Sequence, residues 1–215
     1  MNLNILGILI VFGVVLFSMT LHEMAHAYVA YWLGDSTAKD EGRLSPNPFV
    51  HIDPIMSLVV PIVLYVTTGT VFGGAKPVPI NTRNLKGGAW GMALVGIAGP
   101  LMNFILAFIG FLIGHFTGLI YGNDLWAVFF SELVLANLGF CVFNMIPIPP
   151  LDGSRVLYAI APDGIRDFME RMERTMGIFI VMILVVFFGG YLSSFTSTVI
   201  YNLLMSFRWI VGWGV

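Results

Sequence analysis

Apolar positions in this chain run in long blocks rather than alternating with polar ones. Ile5 to Phe17 is apolar on every side, and Ile5 to Leu33 as a whole predicts one helix of about 43 Å at ~1.5 Å per residue, enough to cross a bilayer with some tilt. Gly34-Asp35-Ser36 ends it. Thr37 to Pro54 is polar, with prolines at 46, 48 and 54, and reads as loop or short β structure. Ile55 to Phe72 is apolar and about span length but holds Pro61 and a Thr67-Thr68-Gly69-Thr70 cluster. Gly73 to Ile80 is an extended Gly/Pro segment. Ala89 to Gly114 predicts a second membrane helix, with Gly99-Pro100 as a kink device. Leu125 to Met145 predicts a third, with Asp124 as its N-cap. The prolines of Ile146-Pro147-Ile148-Pro149-Pro150 stop that helix. Ile165, Phe168, Met169, Met172 and Met176 then recur at helical spacing against charged neighbours, predicting an amphipathic helix on the membrane surface over about 163–176. A fourth membrane segment occupies about 177–215.

Composition agrees with this pattern. The chain is 58% hydrophobic and 10% charged, where a soluble domain carries about a quarter charged residues. The expected fold class is an all-α polytopic membrane protein. It has about four membrane helices, a re-entrant or interfacial segment, and short β structure near the active site. The whole of 1–215 forms one integral-membrane domain with its core at 5–160. The first helix lacks a basic leader and a small-residue cleavage site, so it is expected to be retained. No basic patch suggests nucleic acid, and Cys141 reads as a small buried hydrophobe.

Charge placement sets the expected topology. If Ile55–Phe72 spans, the cations split between two faces. If it re-enters or lies along the surface, nine of the ten (Lys39, Arg43, Lys76, Arg83, Lys86, Arg155, Arg166, Arg171 and Arg174) share one side, and loop 115–124 has none. The second arrangement satisfies the cytoplasmic bias of Lys and Arg. It also sets Asp152 at the depth of the motif described next.

That motif is His22-Glu23-Met24-Ala25-His26, inside the first apolar run. Residues i and i+4 share a helix face, so the two histidines can share a metal, with Glu23 beside them to activate a water. Ionisable groups within a span cost roughly 2.5 kcal/mol or more when charged and unpaired, which argues for function. A catalytic zinc usually has a third protein ligand. Asp152, Asp53, His51, Glu41 and Asp35 are candidates. Asp152 is favoured for its place after a helix-breaking segment at membrane depth, against a competing role as a helix N-cap. His51 and Asp53 read more simply as a satisfied polar loop. Asn103 and Asn144 could bond a substrate backbone or oxyanion, or join helices as interhelical polar contacts. Gly74, in the extended segment, could offer a strand edge to an unwound substrate. Pro147 is expected to line a polar cleft that admits water.

The combination resembles the site-2 protease family of intramembrane zinc metalloproteases. His22-Glu23-x-x-His26 is paired with Asn144-x-x-Pro147-x-Pro149-x-Leu151-Asp152-Gly153, and Gly99-Pro100-x-x-Asn103 resembles that family's central helix. Gly42-Arg43-Leu44-Ser45-x-Asn47-Pro48 and Ala75-Lys76-Pro77-Val78-Pro79-Ile80-Asn81 are similar to its compact prokaryotic members, without an appended PDZ or nucleotide-sensing domain. The resemblance implies Zn2+ held by His22, His26 and Asp152, with Glu23 as catalytic base. It also implies transmembrane protein or peptide substrates, in a prokaryotic cell membrane with the site toward the cytoplasm. A membrane-anchored peptidase acting on surface peptides and a non-catalytic scaffold or metal transporter are the competing readings. Oligomeric state is not legible.

Overall fold

The computed structural model describes residues 5–54, 59, 66 and 74–212. Among these residues four helices are long and apolar enough to cross a membrane, and the chain is a multi-pass membrane protein whose described elements are all helical. The first, α1, is Ile5–Trp32. It ends where Gly34 takes φ +104° while Asp35 N–H bonds the carbonyl of Ala30 and Gly34 N–H that of Tyr31. This is a left-handed glycine cap that satisfies two late carbonyls of the helix. A short helix α2, Thr37–Asp40, and a 3-10 turn at Pro48–Val50 follow.

Helix α3, Gly88–Phe116, is the centre of the bundle, with α1 and α4 packed against it. Its buried seam is small: Gly96, Gly99, Asn103, Ala107, Gly110 and Gly114 recur every three or four residues. A Cβ at Gly110 would stand 2.8 Å from Leu133 Cδ2, so the helix backbones approach closely there. Helix α4 is Leu125–Asn144, and Asp124 caps it by accepting from Ala127 N–H at 3.0 Å. The proline-rich turn leads into α5, Gly153–Ile160, and then into α6, Asp163–Ile210.

The surface helix and the last membrane segment expected separately are one 48-residue helix, about 72 Å long at ~1.5 Å per residue. No proline interrupts it, and Gly164, Gly177, Gly189 and Gly190 all lie inside it; a glycine costs a helix about 1 kcal/mol against alanine but does not stop it as proline does. Helix α6 meets the body through polar contacts of its first turns with α5 and through apolar contacts further on. Val181 and Val185 pack on Leu151, and Phe207 enters a core of Ala107, Phe111, Val134 and Leu138.

The expected β structure is not found among the described residues. Where Thr37 to Pro54 was expected as loop or short β structure there is a short helix and a 3-10 turn, and residues 74–80 carry no regular secondary structure. Pro77 and Pro79 lack the N–H a ladder needs. Arg43 takes the carbonyls of Lys76 and Pro77 instead.

Ile55–Phe72 lies outside the described residues, apart from Val59 and Val66. Its flanks lie at one end of the bundle. Lys86 N–H bonds the carbonyl of Leu33, Asn81 N–H and Asn84 Nδ2 bond the Asp35 carboxylate, and Lys76 N–H bonds the carbonyl of His51. Asp35 is fully buried. Burial opposes its ionisation, but the bonds from Thr37, Asn81 and Asn84 outweigh that and hold its carboxyl below the ordinary carboxylate range.

Candidate metal centre

The centre is built from helix phase upward. Along α1, Val14, Ser18, His22, His26 and Ala30 are buried at four-residue intervals, the stripe a 3.6-residue helix turns toward one neighbour. The neighbour is α3, and the residue facing the imidazoles is Gly99. A Cβ there would lie 2.3 Å from His26 Nε2 and 2.6 Å from His22 Nε2. Only glycine leaves room for both rings.

Each ring is fixed through its far nitrogen. His22 Nδ1 donates to Asn103 Oδ1 at 2.5 Å, and His26 Nδ1 donates to the carbonyl of Val95 at 2.7 Å. Asn103 is fully buried, and its own amide nitrogen donates to Asn137 Oδ1 at 2.7 Å. Asn137, also fully buried, donates to Ser18 Oγ and to the carbonyl of Leu133. A polar chain therefore runs from α1 through α3 and α4 and back to α1. Asn103 stands behind His22 as its orienting partner and bonds across to Asn137, in keeping with the interhelical alternative for that residue.

The near nitrogens converge. His22 Nε2 and His26 Nε2 are 3.0 Å apart, and Asp152 Oδ2 lies 3.2 Å from the first and 3.4 Å from the second. Asp152 sits at the N-cap position of α5 but makes no side-chain cap bond. Its carboxylate turns to the histidines instead. The other candidate ligands are elsewhere. Asp35 is held by loop 81–84, and His51 Nε2 donates to the carbonyl of Ser45. Among the described residues, His22, His26 and Asp152 form the one cluster with metal-ligand geometry.

This arrangement fits a zinc ion. With both Nδ1 atoms donating, each neutral imidazole presents a lone pair at Nε2. Two lone pairs and a carboxylate oxygen facing one another need a cation between them. Ligand atoms about 2.0–2.1 Å from a tetrahedral zinc stand about 3.3 Å from each other, and the three separations here bracket that value. Orientation of each histidine by a bond from its second nitrogen is the usual support of such sites.

The chain is 40% identical over 181 residues to "Putative zinc metalloprotease YwhC" of Bacillus subtilis, an alignment covering 81% of this chain and 79% of that protein. The chain belongs to this zinc metalloprotease family. It is also 34% identical over 143 residues to "Putative zinc metalloprotease Rip2" of Mycolicibacterium smegmatis, covering 64% of this chain and 52% of that one. With "Zinc metalloprotease MJ0392" of Methanocaldococcus jannaschii it shares 30% identity over 152 residues, 70% of this chain and 34% of the relative. No protein-family model matches the chain. No solved structure matches it either. Zinc is accordingly the cofactor of this metalloprotease, and His22, His26 and Asp152 are the residues that fit it.

Around the centre, Glu23 is half-buried, and its carboxylate makes no hydrogen bond among the described residues. Asn144 is the last residue of α4 and half-buried; Gly74 is half-buried in the extended segment. Pro147 is exposed and lines a cavity of about 430 Å³ between α3, α4 and α6, walled by Phe104, Cys141, Met145, Leu192 and Phe195 among others. The cavity wall is apolar. Leu192, Phe195, Val199 and Leu203 of α6 form one side of this cavity.

Proposed function

We propose that this membrane zinc metalloprotease cleaves peptide bonds within or near transmembrane segments of other proteins, in the manner of the site-2 protease family, with Glu23 as general base. The observation that carries the reading is the position of the donor set. Both histidines lie on a helix apolar enough to span a bilayer, and Asp152 joins them from the turn after another such helix. A surface peptidase has no need to sink its ligands among membrane helices.

Zinc, when bound, supplies a Lewis acid that polarises the scissile carbonyl and acidifies water. The chain's own residues do the rest. Asn103 and the Val95 carbonyl keep both imidazoles in the tautomer that offers Nε2. The Glu23 carboxylate takes a proton from the attacking water as its oxygen bonds the carbonyl carbon. It then delivers that proton to the amine as the C–N bond breaks. A helical substrate must unwind first, and its freed backbone groups need partners at membrane depth. Gly74 and the extended segment after it would offer main-chain edges, and Asn144 and Pro147 would border the bound strand. The positive-inside bias supports a cytoplasmic face for the centre, since the cation-rich loops surround it while Arg208 stands near Tyr121 at the opposite end.

The test is co-expression with tagged single-span proteins and with a soluble peptide reporter, comparing the native chain with Glu23→Gln. The expected outcome is cleavage of a single-span protein that falls at least ~10²-fold in the variant while bound zinc stays stoichiometric. Cleavage of only the soluble reporter would replace this reading with that of a surface peptidase.

A further inference from the structure

The metal carboxylate hangs on a helix too short to hold itself. Helix α5 has eight residues, well below the length at which isolated helices persist. Asp152 precedes it with no side-chain cap, and the Asp152 carbonyl accepts from Arg155 N–H at 3.0 Å. Something outside α5 must therefore set where Asp152 points.

Two contacts wedge its N-terminal end from the α3 and α4 sides. A Cβ at Gly96 would stand 2.8 Å from Arg155 Cβ and 2.9 Å from the Asp152 carbonyl, and one at Gly153 would stand 2.3 Å from the Met145 carbonyl. On the other side α5 is held by the non-membrane start of α6. Arg155 donates in fork geometry to Glu173, Nη1 to Oε2 at 2.8 Å and Nη2 to Oε1 at 2.5 Å. One turn on, Tyr158 Oη donates to Glu170 Oε1 at 2.7 Å. Arg166 donates to the carbonyls of Tyr158 and Ala159, closing the C-terminal end of α5. Arg155 and Glu173 are 25% and 30% exposed. A pair that shielded and bidentate holds direction as well as distance, unlike an open surface pair.

We propose that the Arg155–Glu173 pair is the positioning lock of the metal carboxylate, so that the surface half of α6 is a working part of the zinc site. The inference rests on the zinc assignment to His22, His26 and Asp152, but not on the nature of the substrate. Helix α6 runs without a break from Glu173 to Phe207, so displacement of its surface half would reach Asp152 through one ion pair one helical turn away.

The experiment measures zinc affinity of the full chain in detergent by competition with a chromogenic chelator. Single variants Arg155→Gln and Glu173→Gln are each expected to bind zinc about 10-fold or more weakly. The double variant should lose no more than either single one, because both remove the same contact. Arg174→Gln, on an 81% exposed side chain next in sequence to Glu173, should bind as the native chain does. Thermal unfolding with chelator in excess separates a misplaced carboxylate from a damaged fold, and the metal-free midpoint should stay within a few degrees. Unchanged affinity in the single variants, additive losses in the double, or an affinity loss matched by collapse of the metal-free midpoint overturns the proposal. Absence of peptidase activity in every form would sink the proposed function and leave these affinities standing.

Discussion

A single hydrogen atom in place of a side chain decides whether this protein can hold metal. Gly99 lies where a Cβ would meet both near nitrogens within 2.6 Å. Gly99→Ala is expected to abolish stoichiometric zinc, measured by elemental analysis of the purified chain, and to cost about 1–3 kcal/mol of stability from overpacking. Retained zinc at native stoichiometry would show that the rings can yield. The two histidines were legible in the sequence, because helix period makes His22 and His26 neighbours, and the cost of a carboxylate at membrane depth favoured Asp152 among the possible third ligands. Gly99, Asn137, Ser18 and the carbonyl of Val95 were not legible as support for them. Their roles depend on the register between α1, α3 and α4, which no spacing along one helix encodes. The closest signal was Asn103 at four residues from Gly99, whose type alone fits a substrate contact or an interhelical one equally.

At the scale of elements, the loop after α1 is tied down by a carboxylate and a guanidinium, with no strand among the described residues. Asp35 gathers Thr37, Asn81 and Asn84 at the end of α1, and Arg43 bonds the carbonyls of Val50, Lys76 and Pro77. Together they fix the extended segment, whose last residue Ile80 packs with Ala30 and Val95 next to the site. Asp35→Asn keeps the shape but puts an amide donor against donors. It is expected to lower the unfolding midpoint in detergent by several degrees, as about 2 kcal/mol of charged hydrogen bonding is lost. The native chain should show the same dependence on pH. A carboxyl held below its ordinary value of 3.8 contributes fully above that pH, and its contribution fades as pH falls through the lower folded value. A midpoint in Asp35→Asn equal to the native one at pH 7 would remove Asp35 from this role. The sequence pattern located this loop and its boundaries. It left Thr37 to Pro54 as loop or short β structure, since polar proline-rich chain fits either, and the deciding group, a buried Arg43 that bonds carbonyls some thirty residues on, has no local signature.

For the whole molecule, the bonds from Leu33, Asp35 and His51 to residues 76–86 place both flanks of Ile55–Phe72 at the end of the bundle that holds the zinc site. Cysteines introduced as Arg83→Cys and Ile160→Cys should label from the same face of sealed vesicles with an impermeant thiol reagent. Tyr121→Cys, at a half-exposed position beyond α3, should label from the other. Labelling of positions 83 and 160 from opposite faces would contradict the bundle. The sequence by itself determined the membrane class, the long apolar helices and the two histidines that share a helix face, because apolar length and helical period act locally; it favoured Asp152 among five possible third ligands, and the fold set that residue beside the imidazoles. Only the tertiary structure decided the glycine-lined contact that admits the rings, the amide chain behind His22, the continuity of α6 and its hold on Asp152. Those depend on which faces meet between helices, and in an apolar bundle many faces look alike until they are packed.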